Sequence, residues 1–105
     1  MPTLQPFIET KQEELQRLCA LHRVRRLDLF GSATQDRFDP RESDLDFLVE
    51  FDEAPPGHRA DQYFQFREDL QTLFGRPVDL VMASAVKNPY LRQSIDRSRV
   101  PLYVS

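Results

Sequence analysis

The chain has 105 residues and a mass of 12.3 kDa, the size of one domain rather than two. Area scaling gives roughly 6,100 Å² accessible when folded against about 17,800 Å² unfolded, so a core can form without staples. The mixture of 40% hydrophobic and 30% charged residues, with no bilayer-length apolar run and no basic-then-apolar start, argues against a disulfide scaffold, a membrane protein and a secreted precursor.

The balance of 14 basic and 17 acidic residues gives a net charge of −3, whereas a general nucleic-acid clamp would carry a basic excess. Twelve of the basic residues are Arg, a bias that a GC-rich genome explains at least as well as phosphate binding. The single Cys19 has no internal disulfide partner, so a reducing cytoplasm is the expected location.

From Gln5 to His22, apolar residues recur at helical spacing. Leu4, Ile8, Leu15, Leu18, Cys19 and His22 form a stripe that Lys11 and Gln12 interrupt. Cys19 reads as core filler and His22 as a solvated helix end. Val24–Phe30 alternates as a strand that Gly31 breaks, and Ser32 can cap a short helical turn to about Arg37. Phe38–Ser43 is a loop. Asp44–Asp52 is a second strand, with Leu45, Phe47, Val49 and Phe51 on one face and Asp44, Asp46, Leu48 and Glu50 on the other.

After the break at Pro55, Pro56 and Gly57, a second helical stripe runs through Ala60, Tyr63, Phe66, Leu70, Leu73 and Phe74, with Gly75 as its stop. Val78–Met82 is a short strand. Asn88 and Pro89 form an N-cap and first-turn pair for a third helix to about Ser98. Val100–Val104 is a last strand, placed at an edge by Pro101. The order α-β-turn-β-α-β-α-β predicts an α+β domain spanning residues 1–105, a small mixed sheet with helices mainly on one face.

Three features point to one site. Gly31-Ser32 stands at a strand-to-helix turn, where backbone N–H groups favour a phosphate. Asp44 and Asp46, two residues apart on one strand, project from the same face roughly 6.6–6.8 Å apart along the backbone. Asp79 interrupts the apolar run Val78-Asp79-Leu80-Val81, where a carboxylate is costly unless it is paired, metal-bound or at an open sheet end. Each feature alone is common in ordinary turns and strand ends. Together, hard oxygen donors without His or Cys neighbours select Mg²⁺ or Mn²⁺, and they fit metal-assisted nucleotidyl transfer.

These residues carry a family resemblance. Leu27-Asp28-Leu29-Phe30-Gly31-Ser32, Ser43-Asp44-Leu45-Asp46-Phe47-Leu48-Val49, Gly75-Arg76-Pro77-Val78-Asp79-Leu80-Val81 and Lys87-Asn88-Pro89-Tyr90 resemble the minimal nucleotidyltransferases, or MNT domains, of the polymerase-β-like superfamily. The likeness runs from about Val24 to the end. It departs in an eleven-residue gap between Ser32 and Asp44, and in the run Ala33-Thr34-Gln35-Asp36-Arg37 where many relatives carry a small residue and Arg-Gly.

The resemblance implies the antitoxin of a pair whose toxin is a HEPN-domain ribonuclease, in which AMP passes from ATP to a tyrosine of the toxin. Carried over, Asp44 and Asp46 would hold two Mg²⁺ ions, and Asp79 would complete the ligands of the metal that lowers the pKa of the attacking hydroxyl and help take its proton. Gly31 would admit the phosphates closely, Ser32 would bond one of them, and Arg37 would supply charge. Arg41 and Lys87 are further candidates for the triphosphate. The alternatives are an antitoxin that neutralises its toxin by binding alone, and nucleotidyl transfer to RNA or a small molecule. Neither membrane association nor direct nucleic-acid binding is expected. Self-association or a hetero-oligomer with the toxin stays open.

Overall fold

A computed structural model describes residues 6–34, 44–52, 57 and 59–105. In chain order the elements are α1 (Pro6–Glu9), α2 (Gln12–Leu21), β1 (Val24–Phe30), a 3₁₀ turn (Gly31–Thr34), β2 (Leu45–Phe51), α3 (Arg59–Phe74), β3 (Val78–Met82), a second 3₁₀ turn (Ala83–Ala85), α4 (Pro89–Ser98) and β4 (Val100–Val104). The predicted order of elements is the observed one.

The first predicted helix is two helices. Thr10 Oγ1 donates to the Phe7 carbonyl, and Lys11 N–H bonds Ile8 O in a tightened turn, so a side chain competes with the helical ladder where the apolar stripe breaks. His22 also departs from expectation. Only 10% of its side chain is exposed, its Nε2 lies 2.6 Å from Asp69 Oδ2, and its ring rests on Phe66. Leu4 lies outside the described residues.

The four strands form one mixed sheet in the order β3-β2-β1-β4. Strand β1 runs antiparallel to both β2 and β4, whereas β2 and β3 are parallel. Alternation sends Leu27 and Leu29 of β1, with their partners Val49 and Phe47 of β2, to one face. There they join Ile8, Leu15, Cys19, Phe66, Leu70 and Phe74 in the core. Phe47 and Phe74 stack at 5.8 Å, and the Tyr63 hydroxyl donates to the Leu80 carbonyl, tying α3 to β3. Burial pushes the Cys19 thiol up to about 12, so it is an unreactive core group, as expected.

Helix α4 lies on the opposite face, where Leu48, Val86 and Ile95 border one small void and Arg99 reaches Asp28. The helices α1 to α3 therefore share one face and α4 covers part of the other. The Asn88 side chain accepts the N–H groups of Tyr90 and Leu91, the cap predicted for α4. Pro101 sits in edge strand β4, beside a register shift in the β1–β4 ladder.

Candidate functional site

The parallel ladder between β2 and β3 decides where the acids meet. Leu45 N–H donates to the Pro77 carbonyl at 3.2 Å, and Gln71 Oε1 accepts the Val78 N–H at 3.2 Å, which fixes the two strand starts side by side. In that register Asp46 pairs directly with Asp79. Neighbouring strands lie about 4.8 Å apart, so the two side chains leave the same face as neighbours. Asp44 immediately precedes β2, two residues before Asp46, and is exposed. Asp79 is also exposed, at the start of edge strand β3, which answers the cost of a carboxylate in an apolar run: the group stays in water.

Asp46 is the most perturbed of the three. Its carboxyl is pushed up to about 6 from an ordinary 3.8, first by burial and then by the negative charges of Asp79 and Asp44. A divalent cation would relieve that repulsion, and hard carboxylate oxygens suit Mg²⁺ or Mn²⁺. Among the described residues, no group of three or more His, Cys, Asp or Glu is arranged to hold a metal ion, so Asp44, Asp46 and Asp79 do not by themselves form a three-carboxylate site. Mg²⁺ commonly takes one or two carboxylates together with substrate phosphates, so such a site is not required.

Gly31 stands over this group. Strand β1 ends with Phe30 paired to Asp46, and the chain then turns at Gly31 with φ +77°, left-handed backbone that favours glycine. A Cβ at Gly31 would lie 2.6 Å from Asp46 Oδ2, so only glycine lets the turn approach the carboxylate this closely. The Thr34 hydroxyl donates to the Gly31 carbonyl at 2.8 Å and holds the turn from within. Ser32 occupies the same turn. Of the turn's backbone N–H groups, expected to favour a phosphate, that of Gly31 donates to Ser98 Oγ at 2.9 Å. Arg37 and Arg41 lie outside the described residues. Lys87 is exposed and precedes α4, on an element separate from the acids.

Asp28 escapes the sequence reading. It is fully buried on the same face as Asp46, held by Arg26 Nε at 3.1 Å and by Arg99 Nε at 2.7 Å, with an Arg99 terminal nitrogen on the same oxygen. Burial works against the Arg99 charge, but the bonds to Asp96 and Asp28 outweigh it and raise its pKa. The signal was present: Leu27-Asp28-Leu29 is also a lone carboxylate in an apolar run. Asp28, rather than Asp79, is the acid that is buried and compensated by paired cations.

A small mixed sheet that carries an acid pair across a parallel ladder, under a glycine turn, is a layout suited to handling nucleoside phosphates. The family model described as a nucleotidyltransferase domain matches residues 12–102, and the chain belongs to that family. It is an enzyme of the nucleotidyltransferase class, and its likeness to a solved structure of that kind places it among the minimal nucleotidyltransferases.

A solved minimal nucleotidyltransferase superposes with a TM-score of 0.69 at 31% identity, covering 90% of this chain and 91% of that one. An inferred protein adenylyltransferase of Methanocaldococcus jannaschii is 31% identical over 100 residues, 95% of this chain and 98% of its own. The protein adenylyltransferase MntA of Thermococcus cleftensis is 32% identical over 84 residues, 72% of this chain and 81% of its own. A Shewanella oneidensis MNT antitoxin, solved in complex with its tri-AMPylated HEPN toxin, shares the fold with a TM-score of 0.63 at 17% identity, covering 92% of this chain and 72% of that one. No helix among the described residues is long and apolar enough to cross a membrane.

Proposed function

We propose that the chain, acting as one domain over residues 1–105, transfers AMP from Mg²⁺-bound ATP to a tyrosine hydroxyl of a HEPN-domain toxin in the cytoplasm, and so serves as its antitoxin. The observation that carries this reading is the pairing of Asp46 with Asp79 across the parallel ladder, beside Asp44 and beneath the Gly31 turn. The names of similar proteins, protein adenylyltransferases and an MNT antitoxin bound to an AMPylated toxin, support AMP transfer and a toxin partner.

Bound Mg²⁺ would screen the phosphates and lower the pKa of the attacking hydroxyl. Asp44 and Asp46 would hold it, with Asp46 ionised by the cation despite its raised pKa. Asp79, exposed at the strand start, would complete the ligand set and help take the proton of the incoming hydroxyl. Gly31 keeps the space above Asp46 free for the nucleotide. Ser32 and Arg37 would contact the triphosphate.

Incubation with α-labelled ATP, Mg²⁺ and a HEPN partner tests the reading. Label moves to the partner with the wild-type chain and not with Asp44→Asn/Asp46→Asn protein. Absence of label on the partner, or equal labelling by the double variant, overturns it. Neutralisation by binding alone is the second reading, motivated by the run Ala33–Arg37, which lacks the Arg-Gly that the family resemblance leads one to expect. It predicts that the folded double variant protects cells from the toxin as well as the wild-type chain does.

A further inference from the structure

Both polar backbone atoms of Gly31 are held by side-chain hydroxyls. Its carbonyl accepts from Thr34 within the turn, but its N–H donates to Ser98, 67 positions later in the chain. Ser98 is the last residue of α4 and is 7% exposed. Its own hydroxyl proton points back to the helix, with Ser94 O at 3.3 Å and Ile95 O at 3.5 Å. The hydroxyl thus has an acceptor for its proton and a lone pair for Gly31.

The next residue cannot drift. Arg99 is fastened to the buried Asp28 and to Asp96, and Asp28 lies three positions before Gly31. The end of α4 is therefore riveted to β1 by a buried ion pair and to the turn by one hydroxyl. Glycine brings the widest backbone freedom of any residue, and this glycine must keep φ at +77° close against Asp46.

We infer that Ser98 is a positioning residue for nucleotide binding: by holding the Gly31 amide it fixes how the glycine turn stands over Asp46. This rests on the nucleotidyl-transfer reading above. It also changes which donors serve the phosphates, since the Gly31 N–H is occupied and the later amides of the turn must take that part.

The test uses the full chain as wild type, Ser98→Ala and Ser98→Thr. Alanine is the best helix former, so α4 persists in S98A, and threonine retains the hydroxyl. Two quantities are read: amide hydrogen exchange at Gly31, with Val49 in the core strand as control, and affinity for Mg²⁺·AMP-PNP. In S98A, Gly31 should exchange at least about tenfold faster while Val49 is unchanged. Nucleotide affinity should fall about threefold to tenfold, the range of one hydrogen bond, and S98T should stay within about twofold of wild type.

Wild-type affinity in S98A overturns the inference, and so does Gly31 exchange equal to wild type. A loss in S98T as large as in S98A also overturns it, because packing and not the hydroxyl would then be responsible. If the wild-type chain itself does not bind Mg²⁺·AMP-PNP, the nucleotidyl-transfer reading and the role in nucleotide binding fall together, and Gly31 exchange still reports whether Ser98 tethers the turn.

Discussion

Gly31 and Asp46 approach so closely that a single added methyl would collide. The ideal Cβ position on Gly31 is 2.6 Å from Asp46 Oδ2, and the glycine sits at φ +77°. Substitution Gly31→Ala therefore meets two obstacles. An L-residue in left-handed backbone costs roughly 1–2 kcal/mol, and the carboxylate must swing away. The expected outcome is a folded protein, about 1–3 kcal/mol less stable by urea denaturation, that has lost most of its nucleotidyl transfer. Wild-type activity in G31A would mean that the turn does not approach the reacting groups.

Asp46→Asn should separate stability from activity. The wild-type carboxyl loses its proton near pH 6 in the folded chain, against 3.8 ordinarily. Below about pH 4 it is neutral in both folded and unfolded states and costs nothing. As pH rises from about 4 to 6 the unfolded chain ionises first, so the folded state loses stability relative to it, and the loss is complete above pH 6. Allowing for its partial exposure, the penalty is about 1–2 kcal/mol. In metal-free buffer D46N should melt higher than wild type at pH 7 and equally at pH 3.5. Its transfer activity should fall on the order of a hundredfold or more, since even residues behind a metal ligand cost 10–100-fold.

Asp28→Ala addresses the buried pair directly. Asp28 has 1% of its side chain exposed and binds both Arg26 and Arg99, the latter 24% exposed. Removing it takes one of two carboxylates from Arg99, which keeps Asp96 and is partly exposed, so the expected loss is about 1–3 kcal/mol. A chemical denaturation curve should show that drop with little dependence on salt, because the pair is shielded from screening ions. A change below about 0.5 kcal/mol would place the pair among surface bridges of little worth.

Asn88→Ala removes the acceptor that caps α4 at Tyr90 and Leu91. The expected destabilisation is about 1 kcal/mol, and Asn88→Asp should restore it. Tracking the Gly31 amide in the same variant shows whether fraying at the start of α4 reaches Ser98 at its end.

Much of this protein was legible in local pattern. Helical and strand periodicity, Gly75 after α3, Asn88-Pro89 before α4 and Pro101 in β4 each depend on residues within a few positions of one another. The backbone rules that act there need no distant partner. Strand alternation likewise put Asp46 on the face opposite Leu45 and Phe47, whereas Asp44, expected on the same strand, immediately precedes it. The split of the first helix at Thr10 was less legible, since a side-chain bond to the Phe7 carbonyl competes with spacing that otherwise favours one helix.

What the sequence by itself determined was the order of the strands and helices and the placing of Asp46 on β2 and Asp79 on β3. Tertiary structure alone decided that Asp46 stands opposite Asp79, that Asp28 and not Asp79 is the buried acid, that His22 is covered, and that Ser98 claims the Gly31 amide. The reason is range. A dihedral preference or a period is set by neighbours in sequence, whereas strand register, burial of a charge and a bond across 67 positions depend on which surfaces pack together, and packing is a property of the whole chain.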